Sequence, residues 1–248
     1  MSGHVLITGA SSGIGASLAE KLASSGWRVS ALARRSDRLA RLQKQYSSIL
    51  PLTADVADQA QIASAISQST EQHGPVDLAI LNAGIYTAVR AEAFSADQFV
   101  QQMQVNYFGI IHCLDQLLSP MLKRGGGHIA LMGSVAGYRG LPRSAAYGPT
   151  KAAIQNLAES LYFDLHPKGV KLQVINPGFV ETEATAVNDF TMPDLITSDA
   201  AAGYIIDGLR RDDFEISFPK SFVRKMKFMR LLPLPIYLSL TARLTGQN

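Results

Sequence analysis

Short apolar runs alternate with longer helical patterns along most of the chain, beginning with a run at residues 5–8. Six more strand-like runs follow, at residues 28–33, 49–53, 76–81, 127–132, 170–175 and 214–218. The runs are nearly continuous in apolar residues, which is typical of strands that helices cover on both faces. The alternation therefore predicts an α/β fold, a doubly wound parallel sheet with right-handed crossovers.

The segments between these runs have the spacing of helices, at residues 14–25, 36–46, 58–73, 95–121, 145–166 and 197–209. Doubly wound sheets bind their ligands beyond the carboxyl ends of the strands. We therefore expect the chemical groups directly after the first, fourth, fifth and sixth strands.

The composition excludes several classes of protein. A net charge of +3 is too small to indicate a nucleic-acid partner. The one cysteine, Cys113, rules out an intrachain disulfide, and no signal peptide is expected before the first strand. We therefore expect a cytoplasmic protein. The five histidines show no metal-ligand spacing, so no metal is expected.

A glycine-rich turn separates the first strand from the first helix, with the spacing G-x-x-x-G-x-G. Glycines let the backbone turn tightly and approach a ligand, and the start of the helix offers free N–H groups to a phosphate. The turn could be purely structural, but its place between a strand and a helix favours dinucleotide binding. The expected cofactor contacts are Gly9, Ser11, Ser12, Gly13, Ile14 and Gly15.

The end of the second strand bears on the choice between NAD and NADP. An NAD-selective site usually has an acid here, which bonds the ribose 2′-hydroxyl. The chain instead has Ala33, followed by Arg34 and Arg35. Arginine stays charged and matches the geometry of a phosphate. The pair could be an ordinary solvated surface pair, but its position favours NADP(H) over NAD(H).

Two further strand ends carry candidate cofactor contacts. Asp55 and Val56 follow the third strand, where Asp55 could cap the next helix or accept from an adenine amino group. Asn82, Ala83 and Gly84 follow the fourth strand. They could form an ordinary turn, but small residues would also let a cofactor lie against the strand ends.

Tyr147 and Lys151 are four residues apart near the start of a helix, so they share one face. An ammonium beside a phenol lowers the pKa of the phenol, and such a tyrosine can give or take a proton. Ser134 ends the fifth strand, where its hydroxyl could hold a substrate oxygen. An isolated pair of this spacing is usually a surface contact. Because all three residues fall at one predicted sheet edge, we favour a catalytic site.

As a set, these motifs resemble those of the short-chain dehydrogenase/reductase family. The resemblance covers about residues 4–218 and includes the glycine turn, Asn82-Ala83-Gly84, Asn106, Ser134, Tyr147-x-x-x-Lys151 and Asn176-Pro177-Gly178. It implies a single Rossmann domain with seven strands in the order 3-2-1-4-5-6-7 and helices on both faces. It also implies a homodimer or homotetramer, because family members commonly associate.

The resemblance also implies roles for individual residues. Tyr147 would be the catalytic acid/base, and Lys151 would tune its pKa and bind the nicotinamide ribose. Ser134 would orient the carbonyl group of the substrate, and Asn106 would hold a water molecule in a proton relay. The residues expected near the nicotinamide carboxamide are Pro177, Gly178, Val180 and Thr182.

Two positions depart from the family pattern. Leu81 stands where the family often has an asparagine before Asn82. A serine replaces the basic residue that many NADP-selective members have in the glycine turn. The prediction of NADP therefore rests on Arg34 and Arg35.

Residues 182–197 have the weakest pattern of the chain. In the family the corresponding segment is a substrate lid, and here Phe190, Met192 and Leu195 predict an apolar wall. An ordinary surface loop is the alternative.

We divide the chain into a cofactor-binding catalytic domain, residues 1–218, and a helical extension of the same domain, residues 219–248. Residues 216–248 contain six Lys or Arg and no acid, whereas the remainder has 17 basic and 20 acidic residues. No apolar run in this tail is long enough for a transmembrane helix. Three roles are open, in this order: packing across a subunit interface, a roof over the substrate site, and peripheral contact with a membrane.

These features predict an NADP-dependent oxidoreductase that moves hydride between the cofactor and an apolar carbonyl or alcohol. The alternative is a catalytically silent dinucleotide-binding regulator or scaffold. An intact set of Ser134, Tyr147 and Lys151 argues against that alternative, because lost chemistry would release these positions to drift.

Overall fold

The computed structural model describes residues 3–246. Its strands are β1 (His4–Thr8), β2 (Arg28–Ala33), β3 (Ile49–Thr53), β4 (Leu78–Leu81), β5 (Gly127–Met132), β6 (Val170–Pro177), β7 (Val180–Glu181), β8 (Ile196–Thr197) and β9 (Glu215–Phe218). Seven of them form one parallel sheet in the order β3-β2-β1-β4-β5-β6-β9, and β7 pairs with β8. The predicted doubly wound sheet is therefore confirmed, with β9 as its seventh strand.

Helices cover both faces of this sheet. They are α1 (Gly13–Ser24), α2 (Ser36–Gln45), α3 (Gln59–His73), α4 (Ala96–Met103), α5 (Gly109–Lys123), α6 (Tyr147–Leu165), α7 (Ser198–Leu209), α8 (Lys220–Leu231) and α9 (Leu234–Thr245). On one face α1 and α7 bury Leu18 and Ile205, and on the other α3 and α6 bury Ile62 and Ile154. Burial on both faces explains why the strands are apolar throughout.

The register of the parallel strands brings their carboxyl ends to one edge. Thr8 of β1 pairs with Leu32 of β2 and with Leu81 of β4, and Leu81 pairs with Leu131 of β5. The turns that follow these strands therefore lie side by side, as a binding site at this edge requires.

The helix predicted over residues 95–121 is divided in the structure. Between α4 and α5, residues Gln104–Phe108 form a π-helical turn. Such single wide turns occur inside α-helices, often at functional sites. This one places Asn106 in a fully buried position. Hydrophobic spacing averages over several turns, so it did not reveal the interruption.

The chain continues from β9 into two short helices, α8 and α9. Pro233 stands directly before α9 and Pro235 lies in its first turn. Proline is tolerated there but not inside a helix, because it lacks an N–H group, so the two prolines separate α8 from α9. Among the helices of residues 3–246, none combines the length and the apolar character needed to cross a membrane.

Candidate active site

A cavity of about 1060 Å³ opens at the carboxyl edge of the sheet. Its wall contains Ser134, Tyr147 and Lys151, so the structure brings together the three residues expected to carry the chemistry. Of the residues expected to bind the cofactor, all except Gly15 line this cavity. They are Gly9, Ser11, Ser12, Gly13, Ile14, Arg34, Arg35, Asp55, Val56, Asn82, Ala83, Gly84, Tyr147, Lys151, Pro177, Gly178, Val180 and Thr182.

The glycine turn bends closely round the end of β1. Gly13 has a φ of 53°, which favours glycine, and a Cβ there would lie 3.1 Å from the Thr182 methyl group. Gly15 lies behind the turn, where a Cβ would lie 2.3 Å from the Gly9 carbonyl oxygen. Gly15 therefore permits close packing of α1 instead of lining the cavity. No side chain caps α1, which leaves the N–H groups of its first turn for an anionic ligand.

Arg35 is held against the glycine turn by both of its serines. Its Nε donates to Ser11 Oγ at 3.0 Å and its Nη2 donates to Ser12 Oγ at 2.6 Å. The third contact of Arg35 is with Glu183, which also accepts from Arg38. The serine in the place of the family's basic residue therefore orients an arginine from the end of β2.

Arg34 and Asp55 face each other across the ends of β2 and β3. Arg34 Nη1 lies 3.7 Å from Asp55 Oδ2, and the Arg34 side chain is 64% exposed. Asp55 Oδ1 accepts from the N–H of Ala57 at 3.0 Å. Helix α3 is capped by Asp58, which accepts from two N–H groups of its first turn. The alternative role of Asp55 as the cap of this helix is therefore wrong.

The turn after β4 is fastened to the end of β1. Asn82 Nδ2 donates to the Thr8 carbonyl at 3.0 Å, and the N–H of Ala83 donates to Thr8 Oγ1 at 3.0 Å. These bonds hold the turn and its small residues at the wall of the cavity.

The candidate catalytic side chains come from the turn after β5 and from the first turns of α6. Lys151 is 3% exposed, and its Nζ donates to the Met132 carbonyl at 2.7 Å. The same Nζ lies 5.5 Å from the centre of the Tyr147 ring. The Tyr86 ring packs edge-on against Tyr147, with 5.2 Å between the ring centres. Tyr147 is thus fixed between an aromatic ring and a buried amine, with Ser134 on the same cavity wall.

Burial controls the protonation of Tyr147 and Lys151. It raises the pKa of Tyr147 to about 12, and a hydrogen bond with Ser134 opposes this rise in part. Burial also lowers the pKa of Lys151 to about 7. The predicted lowering of the tyrosine pKa is therefore wrong for the protein groups alone, because burial of the phenol outweighs the hydrogen bond with Ser134. Near neutral pH, Tyr147 holds its proton and is able to donate it.

Asn106 does not line the cavity, unlike the other candidate catalytic residues. Its Oδ1 accepts from the N–H of Ile85 at 2.7 Å, and its Nδ2 donates to the Ile85 carbonyl at 3.0 Å. The Nδ2 also donates to Thr150 Oγ1 at 3.1 Å. Asn106 therefore joins the turn after β4 to the helix that carries Tyr147. Its part in a proton relay stays a prediction.

The loop of residues 182–197 is closed at its base by the pairing of β7 and β8. Phe190 lines the cavity and packs against Phe179 with 5.7 Å between ring centres, as expected of an apolar wall. Met192 and Leu195 do not line the cavity, and Leu195 is 44% exposed. Only part of this loop therefore faces the cavity, because its other side lies in solvent.

The C-terminal helices complete the apolar part of the cavity. Phe222, Met226 and Met229 of α8 line it, together with Tyr237 of α9. This arrangement fits the second of the three roles considered for the tail, a roof over the substrate site.

Arg139 anchors this roof to the segment between Ser134 and Tyr147. Its Nη1 donates to three carbonyl groups at the end of α8, at distances of 2.7–3.2 Å. The Arg139 guanidinium also lies 4.1 Å from the centre of the Tyr237 ring, whose hydroxyl donates to the Gly140 carbonyl at 2.6 Å. The roof is therefore connected directly to the chain that carries the candidate catalytic groups.

Several cavity residues are not among those that the sequence predicts. Tyr86 and Arg143 lie in loops without a motif, and the left-handed φ of 61° at Arg143 leaves no sequence signal. Glu183 was recognisable, because an acid directly after Thr182 lies beside the residues expected to meet the cofactor. The cavity-lining residues of α8 and α9 depend on how the tail folds back, which no local pattern specifies.

Comparisons with known proteins show the family of the chain. The family model for short chain dehydrogenases matches residues 3–191. An uncharacterized oxidoreductase of Myxococcus xanthus is 34% identical over 243 residues, which cover 96% of each chain. A 3-dehydrosphinganine reductase of Danio rerio is 32% identical over 199 residues, covering 77% of this chain and 60% of the relative.

Solved structures show the same fold. A short chain dehydrogenase/reductase from Burkholderia phymatum in complex with NAD has a TM-score of 0.82 and 24% identity, covering 91% of this chain and 92% of that one. ElxO with NADP bound has a TM-score of 0.78 and 26% identity, covering 88% of this chain and 98% of that one. From its family match, its sheet order and its site, the chain belongs to the short-chain dehydrogenase/reductase family of nicotinamide-dependent oxidoreductases.

Proposed function

We propose that the protein is an NADP(H)-dependent carbonyl reductase or alcohol dehydrogenase that acts on apolar substrates. The observation that carries this proposal is the cavity wall shared by Ser134 and Tyr147, with Lys151 buried beside them. The catalytically silent alternative gains no support, because none of these three groups is displaced from the cavity.

The residues present fit a nicotinamide dinucleotide. Where the chain turns after β4, a Cβ on Gly84 would lie 3.2 Å from Asn106 Oδ1 and 3.7 Å from Lys151 Nζ, so a larger side chain would fill this space. The uncapped start of α1 suits the phosphates, and Lys151 suits the nicotinamide ribose. When bound, the nicotinamide supplies the hydride or accepts it.

The protein groups supply the proton and the orientation of the substrate. A carbonyl oxygen placed between Ser134 and Tyr147 would receive hydrogen bonds from both hydroxyl groups, which stabilise the negative charge that develops there. Tyr147 then gives its proton to that oxygen and takes it back in the oxidative direction. Its raised pKa keeps the hydroxyl group protonated near neutral pH, as the donating role requires.

The preference for NADP rests on the groups beside the glycine turn. No acid stands at Ala33 to repel a 2′-phosphate, and Arg34 and Arg35 line the cavity there. Solved relatives hold NAD in one case and NADP in the other, so the choice depends on these local groups.

The proposed substrate is an apolar carbonyl compound. Aromatic and thioether side chains line the apolar part of the cavity. They come from α8 and from the turn after β6 and include Phe179, Phe222, Met226 and Met229. We also propose that residues 219–248 act as part of the catalytic domain. The homodimer or homotetramer and the cytoplasmic location stay predictions.

A screen of carbonyl compounds tests the proposal, with the loss of reduced-nicotinamide absorbance as the readout. We expect turnover with NADPH for apolar ketones or aldehydes and little turnover with NADH. Tight NADPH binding without turnover over a broad panel would instead favour the silent regulator.

A further inference from the structure

The solvent-exposed part of α8 and α9 is rich in apolar and basic side chains. Its apolar side chains are between 54% and 81% exposed: Phe228, Leu231, Leu234, Ile236, Leu238 and Leu244. Its basic side chains are Lys220, Arg224, Lys225, Arg230 and Arg243. We call these eleven residues the tail surface.

The apolar groups of the tail surface are unusually dense. Six large exposed apolar side chains lie within residues 228–244, whereas the eight others of residues 3–246 are spread over positions 94–204. Single exposed apolar residues are common on soluble proteins, but a group as dense as this one indicates a region that meets a partner.

The charge of the tail surface identifies the kind of partner. Within residues 3–246, none of its five basic side chains takes part in an ion pair. Residues 216–248 contain no acid. In a symmetric dimer built on this surface, the same patch would face itself, so like charges would meet. This repulsion disfavours the subunit interface that was ranked first from the sequence.

A negatively charged lipid bilayer satisfies both properties of the tail surface. Acidic headgroups attract basic side chains, and the acyl region takes up apolar ones. On α8, Arg224, Phe228 and Leu231 are spaced so that they share one face of the helix. The two kinds of contact are therefore available in one orientation.

The tail surface is held firmly on the body of the protein. Arg139 bonds to the end of α8, and Lys227 of the same helix pairs with Glu215 of β9. Lys225, Met229 and Leu244 line the cavity from these helices. The mouth of the cavity and the tail surface are therefore adjacent.

We propose that the tail surface docks on an anionic membrane surface as a peripheral contact, with the cavity mouth next to the lipid. Docking in this way would let an apolar substrate pass from the bilayer into the cavity. The membrane contact is independent of the proposed reaction, since binding is measurable without turnover.

Co-sedimentation of the full-length protein with vesicles tests the docking. We expect the protein to pellet with vesicles of phosphatidylcholine and phosphatidylglycerol, to stay in solution with phosphatidylcholine alone, and to be released by salt. Arg224→Glu should weaken binding at least about fivefold, which corresponds to the ~1 kcal/mol that one basic side chain contributes at an anionic surface. Lys44→Glu, an exposed lysine of α2 at the opposite edge of the sheet, is the matched control and should bind as the wild type does.

The apolar contribution is tested with Phe228→Ser combined with Leu231→Ser. We expect more than about tenfold weaker vesicle binding, because each side chain loses the free energy of apolar burial. Phe163→Ser, which removes a side chain that is 76% exposed on α6, should leave vesicle binding unchanged. Absence of wild-type binding to the anionic vesicles would overturn the proposal. So would a wild-type dimer in light scattering that the Phe228/Leu231 double variant converts to a monomer.

Discussion

Glu183 accepts a hydrogen bond from Arg35 Nη1 at 2.7 Å and so joins the loop after β7 to the end of β2. Its other oxygen accepts from Arg38. These two contacts hold the pKa of Glu183 at about 2. A carboxylate therefore occupies the guanidinium face that we propose for the 2′-phosphate of NADP.

Replacement of this carboxylate should strengthen binding of NADPH. For Glu183→Gln we expect a Kd for NADPH about two- to fivefold lower. This is the effect expected when an exposed carboxylate no longer competes with the 2′-phosphate for the Arg35 guanidinium. The Kd for NADH should not change, because NADH lacks the 2′-phosphate. Fluorescence titration of both cofactors is the measurement, and Glu181→Gln, two residues away and exposed, is the control. Equal tightening for both cofactors would show that Glu183 does not compete with the phosphate.

The assignment of Tyr147 predicts a large loss of rate. Tyr147→Phe removes only the proton donor, so kcat should fall by ~10²–10⁴-fold while the Kd for NADPH stays near the wild-type value. Tyr86→Phe is the control, since its ring still packs against Tyr147 without the hydroxyl group. Near wild-type turnover in Tyr147→Phe would refute the proposed chemistry.

The cofactor preference should be reversible at the end of β2. Combining Ala33→Asp with Arg34→Gln places an acid beside the ribose and removes a positive charge. We expect kcat/KM to rise for NADH and to fall for NADPH. A wild-type enzyme that already uses both cofactors equally well would contradict the role given to Arg34 and Arg35.

The buried Lys151 predicts a pH dependence of stability. Its pKa is about 7 in the folded protein, against 10.5 as the ordinary value, so the unfolded chain binds more protons between these limits. The free energy of unfolding should therefore rise from about pH 7 to about pH 9, above which the buried Cys113 thiol opposes the rise because burial raises its pKa to about 12. Urea titrations over this range should show the rise in the wild type and in the exposed-residue control Lys123→Met, but not in Lys151→Met. The same slope in Lys151→Met would mean that another group causes it.

The anchor of the roof should matter to the substrate more than to the cofactor. Arg139→Ala removes the contacts of one guanidinium nitrogen with three carbonyl groups, and a hydrogen bond that involves a charged group is worth ~1.5–3 kcal/mol. We expect a raised KM for the apolar carbonyl substrate and an unchanged Kd for NADPH. Arg211→Ala is the control, because the hydrogen bonds given for Arg211 within residues 3–246 use its backbone groups. A lower NADPH affinity with an unchanged KM would place the roof over the cofactor instead.

The motifs of the sheet were predictable because each is local. Gly9, Ser134 and Tyr147 stand at the ends of strands or the starts of helices, where sequence spacing specifies position. The protonation of Tyr147 was not predictable, since it depends on how much of the cavity wall surrounds the hydroxyl. The contacts of Glu183 and Arg139 join residues that are far apart in the chain, which no periodicity reveals.

The carbonyl groups that Arg139 binds belong to Met229, Arg230 and Leu232. Every amino acid has a backbone carbonyl group, so this attachment does not depend on which side chains the end of α8 has. Mutation is thereby free to change the wall of the cavity while the helix keeps its place. In evolution, changes at a few residues of the C-terminal helices could then alter which substrates are accepted. The contact between Arg139 and the end of α8 would stay the same.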